Sequence, residues 1–211
     1  MAERDGTARD GDSDGDVMRR LRIRTADEHE HLERTLDLLS PQLGRGRLGE
    51  ILGRMHGFWL AAEAGLDAWA ARSPADADDV AWPRRRRAAL FGEDLTRLGR
   101  TATGEVPELA AVADTDQALG RLYVLEGSTL GGTFIDRHLA GLPHLSDVGI
   151  RAFAPYGSET GAMWAAFRRA TRARAARGGD TDVMLISARA TFQALAAWCG
   201  AVAPAPASRP T

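Results

Sequence analysis

Helical phase separates the five histidines of the 211-residue chain. Met18, Arg22, Thr25, His29, Leu32 and Leu36 recur at spacings of four and three, which puts His29 on the inward stripe of a helix. His31 lies about 200° further round, among Arg24, Asp27 and Arg34, where water surrounds it. A lone imidazole on an apolar face is most often a hydrogen-bonded core residue. Glu33 adds a second reading, because a carboxylate one turn on reaches the ring's other nitrogen. Histidines that ligate a metal commonly have such a partner, which sets tautomer and ring orientation. The plainer alternative pairs Glu33 with Arg22, Arg34 or water.

A second group of residues is Tyr123-Val-Leu-Glu-Gly-Ser-Thr-Leu-Gly-Gly132. Three glycines inside a helix cost roughly 0.8–1 kcal/mol each relative to alanine, so something must offset them. Gly127 and Gly131 share a face and expose a strip of bare backbone, and Gly132 beside Gly131 allows a bend. Close approach by a flat ligand needs this, and so does tight helix packing. Ser128 and Thr129 set hydroxyls beside the strip. Two basic clusters complete the inventory: Arg84 to Arg87, and Arg168, Arg169, Arg172, Arg174 and Arg177. Such runs are usually solvated faces, although a dicarboxylate ligand or an acidic partner protein would also want them. One histidine facing a glycine-rich helix, with arginines at the rim, suits a planar metal macrocycle held between two helices.

The elements that must position these residues are all helical, and no convincing strand pattern occurs. Helices are expected at about 18–40, at 48–72 with Leu52, Met55, Trp59, Ala62, Leu66 and Trp69 inward, and from Pro83 to about 99 with four arginines in its first turn. An Asp/Ala-rich loop is expected between the last two. Further helices are expected at about 114–142, 158–177 and 181–200. The class is all-α, with one domain over 17–201, an acidic disordered tail at 1–16 and a Pro/Ala-rich disordered tail at 202–211. A net charge of −2 argues against a nucleic-acid binder. The single cysteine, Cys199, excludes an intramolecular disulfide framework and is poorly placed, at the end of the last helix, as a nucleophile. All 27 basic residues are arginine, which excludes Schiff-base and P-loop chemistry. No continuous apolar run approaches a membrane span and no secretory signal precedes the first helix, so a cytoplasmic protein without membrane association is expected.

Leu21-Arg-x-x-Thr25-x-x-x-His29-x-x-Leu32-Glu33, followed about a hundred residues later by Tyr123 to Gly132, resembles the bacterial biliverdin-producing heme oxygenases, and more narrowly their bacteriophytochrome-associated branch. Weaker blocks around Pro83–Gly99, Tyr156–Phe167 and Thr191–Trp198 agree in order. The resemblance implies a single-domain heme-oxygenase-like bundle, with heme b between the first helix and a glycine-kinked distal helix. It implies His29 as iron ligand with Glu33 behind it, and Gly127, Ser128, Gly131 and Gly132 as the catalytic distal segment. Arg22, with Arg168, Arg169 or Arg172, would meet the propionates, and Thr25, Tyr123 and Phe192 would border the heme. Ser128 stands where animal-type members carry an aspartate, which leaves open which groups hold water near bound O2. The implied activity opens heme to biliverdin with release of CO and ferrous iron, using O2 and electrons from a ferredoxin or flavoprotein, with a bacteriophytochrome as potential acceptor of the product. A heme-binding protein that buffers heme without turning it over is the alternative.

Overall fold

The computed structural model describes residues 16–201. The expected tail at 202–211, and the expected tail at 1–16 apart from its last residue, lie outside the described residues. Asp16 does not belong to a tail: it is the buried N-cap of the first helix, its side chain accepting from the Met18 amide.

The all-α expectation holds among the described residues, with eight α-helices. The stripe read as one helix is two, α1 (Val17–Arg24) and α2 (Ala26–Leu36). Thr25 between them has φ −114° and ψ 11°, and its hydroxyl donates to the Leu21 carbonyl at 2.8 Å. Asp37, in the left-handed region, ends α2. Helix α3 (Arg45–Arg72) buries Leu52, Met55, Trp59, Ala62, Leu66 and Trp69, as the periodicity predicts. The Asp/Ala-rich segment is a short helix, α4 (Pro74–Asp79), rather than a loop, because Pro74 is pre-set for a helix start.

Pro83 opens a 3-10 turn, Trp82–Arg85, and not the helix itself; α5 (Ala88–Arg97) begins five residues later. The arginines expected in a first helical turn therefore occupy a turn and its exit. Arg85 and Arg87 point inward, 3% and 1% exposed, so the run is not a solvated face. A segment without helix leads to α6 (Thr115–Gly141), which is followed by α7 (Thr160–Ala176) and α8 (Thr181–Gly200).

Helix α8 packs most extensively on α6 and also lies against α1, α2 and α3. Averaged over its length rather than counted as a continuous run, α8 is long and apolar enough to cross a membrane, with mean hydropathy 1.2. Its Met184, Ala188, Phe192 and Leu195 are buried in the bundle. Glycine makes two of the bundle's close approaches. A Cβ on Gly120 would lie 2.2 Å from the Met184 carbonyl oxygen of α8, and one on Gly132 would lie 1.7 Å from the Phe153 carbonyl oxygen. Helix α6 is thus held tightly against α8 near one end and against the 142–156 connection further along.

Candidate heme-binding site

A cavity of about 720 Å³ opens between α1, α2, α6, α7 and α8, within the size range of small-molecule pockets. His29 of α2 lies on its wall, its ring edge-to-face with Phe192 of α8 at 5.8 Å. His29 Nδ1 lies 3.6 Å from Glu33 Oε2, with the imidazole 57% exposed. Glu33 itself stays off the wall, one turn behind. Thr25 and Arg22 continue the same side, and Tyr123, Gly127 and Ser128 of α6 form another. His31 is exposed and away from the cavity, as its helical phase predicts.

The two ends of the glycine motif part company. A Cβ on Gly127 would meet nothing within 4 Å, so the cavity wall there is bare backbone. Gly131 is exposed and off the wall, and Gly132 is buried against Phe153. Helix α6 runs unbroken through all three. On α7, Arg168 and Arg172 reach the cavity, while Arg169 is exposed elsewhere. Arg172 is held by Asp16 through two bonds, Nε to Oδ1 at 2.9 Å and Nη2 to Oδ2 at 2.7 Å. The hydrogen bond from Arg172 keeps the Asp16 carboxyl below its ordinary range. Burial pushes the Tyr123 phenol up, with Thr25 and Arg22 pulling the other way.

Behind α6 lies a buried charge network that the sequence reading did not foresee. Arg85 pairs with Glu126, both 1% exposed at the side chain. Tyr156 donates to the other oxygen of Glu126 at 2.8 Å, and burial, then the Glu126 charge, pushes its phenol up. Glu63 accepts the Arg87 and Ala88 amides at 2.6 and 2.9 Å. Arg87 stacks over Trp59 at 4.9 Å and donates to the Ala152 carbonyl and to Ser128 Oγ, the latter at 2.7 Å. Ser128 in turn donates to the Leu125 carbonyl at 2.7 Å. The hydroxyl on the cavity wall is therefore oriented from behind by a buried cation. The available signal was Glu126 itself, the one charged residue of the Tyr123–Gly132 motif.

No family model and no curated protein matches the chain. Solved structures do. The heme oxygenase of Neisseria meningitidis, crystallised with NO and CO bound, superposes with a TM-score of 0.71 at 24% identity, covering 92% of this chain and 98% of that one. Heme oxygenase 2 of Chlamydomonas reinhardtii, solved without heme, gives 0.75 at 21% identity over 91% and 99%. The heme oxygenase of Leptospira interrogans gives 0.69 at 15% identity over 89% and 100%. The fold is the heme oxygenase fold.

Within that heme oxygenase fold, His29 is a solitary imidazole. Among the described residues no group of three or more His, Cys, Asp or Glu side chains is placed to hold a metal ion. Cys199 supplies no competing nucleophile, since burial pushes its thiol up to about 12.

Proposed function

We propose that this chain is a heme oxygenase that binds heme b through His29 and opens it to biliverdin, releasing CO and ferrous iron, with O2 and electrons from a ferredoxin or flavoprotein. The observation that carries the reading is the 720 Å³ cavity in which one imidazole shares the walls with the bare backbone of Gly127 and with guanidinium groups, inside the heme oxygenase fold. The residues fit the group: an imidazole for iron, free space at Gly127, and Arg22, Arg168 and Arg172 for propionates.

Bound heme would supply the iron at which O2 is reduced and the ring carbon that is oxidised. The protein's part is orientation. Glu33, whose Oε2 lies 3.6 Å from Nδ1 of His29, stands where it would orient the ring from behind. His29 would hold the iron through an imidazole nitrogen, a weaker electron donor than a thiolate. Phe192 limits rotation of the His29 ring. The guanidinium groups at the cavity would take the propionates and so orient the ring. Ser128, held by Arg87, offers an ordered polar edge without a strong acid. We place the protein in the cytoplasm, with no nucleic-acid or membrane partner, and within the bacteriophytochrome-associated branch, where a phytochrome would receive the biliverdin.

Heme titration followed by absorption, and then addition of ferredoxin and its reductase in air, tests the reading. The wild-type chain should give a histidine-ligated heme spectrum and then a green biliverdin product. His29→Ala should lose both the ligand signature and turnover, and His31→Ala neither. An unchanged spectrum and rate in His29→Ala would overturn it, and stable heme without biliverdin in the wild type would leave only a heme carrier.

A further inference from the structure

Among the described residues, four guanidinium groups border the His29 cavity: Arg19 and Arg22 of α1, and Arg168 and Arg172 of α7. One carboxylate, Asp16, borders it with them. Helices α1 and α7 pack on each other, which gathers the four arginines on one rim. Arg22 is exposed, and Arg19, Arg168 and Arg172 are half-buried. The mouth therefore carries more positive charge than its own lining carboxylate offsets.

Asp16 is also where the described chain begins, and it joins that rim directly. Its backbone is extended, with φ −70° and ψ 122°. Its carboxylate accepts from Arg172 Nε at 2.9 Å and Nη2 at 2.7 Å. In the sequence it closes an alternating run, Asp10-Gly-Asp12-Ser-Asp14-Gly-Asp16. Alternate side chains of an extended chain share a face, and neighbours on that face lie roughly 6.6–6.8 Å apart. Continued in the conformation of Asp16, the run would set Asp14, Asp12 and Asp10 on the side that already meets Arg172. Gly11, Ser13 and Gly15 are too small to obstruct the approach. Residues 1–15 hold five carboxylates against two arginines, so the segment's excess charge is opposite to the rim's.

We propose that the arginine rim of the His29 cavity is the docking surface for the acidic segment 1–15 of the same chain, which caps the cavity mouth in the ligand-free state. Exposed ion pairs are individually weak. Tethering changes the balance, because a short linker presents the segment at an effective concentration on the order of millimolar, and several pairs then act together. The cap is populated without becoming permanent. A dicarboxylate with an apolar body displaces it, since that ligand adds buried apolar contact that the segment lacks. Docking is independent of the heme reading; displacement by a porphyrin rests on it.

A nitroxide attached to the full chain at Ser13→Cys reports docking through its electron paramagnetic resonance line shape. Cys199 is buried, with its thiol pushed up to about 12, so only the introduced thiol takes the label. At low ionic strength the label should be restricted. At about 1 M salt, where the Debye length falls to about 3 Å, it should become mobile. The triple variant Asp10→Asn/Asp12→Asn/Asp14→Asn alters none of the described residues and should give the mobile spectrum already at low salt. Arg22→Gln/Arg168→Gln should do the same from the other side of the contact. Zinc protoporphyrin, which is diamagnetic, should release the label, and at low salt it should bind the triple variant about three- to tenfold more tightly than the wild type. A line shape unchanged by salt and by both sets of substitutions would overturn the proposal. So would a porphyrin that binds both chains equally and leaves the label restricted. Release by salt and by the substitutions, without any porphyrin binding, would uphold docking and sink the heme reading instead.

Discussion

Removing half of a buried ion pair is more damaging than removing all of it, because the survivor keeps its charge and loses its partner. Arg85 and Glu126 form such a pair beneath α6. Arg85→Met should therefore destabilise the fold by about 3–5 kcal/mol, and adding Glu126→Gln should recover most of the loss, since a neutral amide still accepts from Tyr156. Urea denaturation of the two variants checks this; a double variant no more stable than the single one would count against a charge origin. These same residues mark the limit of what the sequence makes legible. His29 and His31 can be told apart by phase alone, because helical geometry is local. Arg85 and Arg87 could not be recognised as buried, because the groups that hold them lie 41 and 38 residues further along the chain, at Glu126 and Leu125. Four adjacent arginines look like a water-facing run until those long-range partners are known.

At the scale of the helix, glycines of one motif have opposite roles. Gly127→Ala fills empty space beside the cavity and removes the glycine penalty, so it should raise stability by about 0.5–1 kcal/mol while weakening heme binding. Gly132→Ala drives a methyl into the Phe153 carbonyl and should destabilise by about 1–3 kcal/mol. Thermal melts and heme titrations on both variants separate the two effects; equal changes in both would refute the distinction. The start of α1 carries a pH dependence. Arg172 lowers the folded-state value of the Asp16 carboxyl, so its contribution is present above the unfolded carboxylate range and is lost as pH falls through the folded value. Wild type should exceed Asp16→Asn in stability at neutral pH, and the two should converge in acid. Parallel curves across that range would show that the pair contributes nothing. Helix periods and stop signals placed α3, α6, α7 and α8 closely. The break at Thr25 is not legible in the sequence, because the apolar stripe continues across it and neither Gly nor Pro marks it. The start of α5 lies beyond the one that Pro83 suggests, because Pro83 suits a 3-10 turn as well as an α-helix.

For the molecule as a whole, a net charge of −2 conceals an uneven distribution. Arg22, Arg168 and Arg172 gather at the proposed heme cavity, while Arg85 and Arg87 are withdrawn into the core and do not belong to that rim. An acidic electron donor would be steered toward the exposed part of such a surface. Donor-driven turnover should therefore fall as salt rises from low to physiological ionic strength, with heme affinity barely changed. Stopped-flow reduction across a salt series checks this, and a salt-independent rate would remove the electrostatic steering. Among the described residues the long helices α3, α6, α7 and α8 were readable, while α4 and the division of the first stripe into α1 and α2 were not. The contacts at Gly120 and Gly132 give α6 the mechanics of a beam clamped at two points, twelve residues or roughly 18 Å apart. Gly127 lies between the clamps, open on its cavity side, while the opposite face of the span is braced by Arg85 on Glu126 and by Arg87 on the Leu125 carbonyl and Ser128. A load applied by a ligand in the cavity would therefore pass through the middle of α6 into that buried charge network.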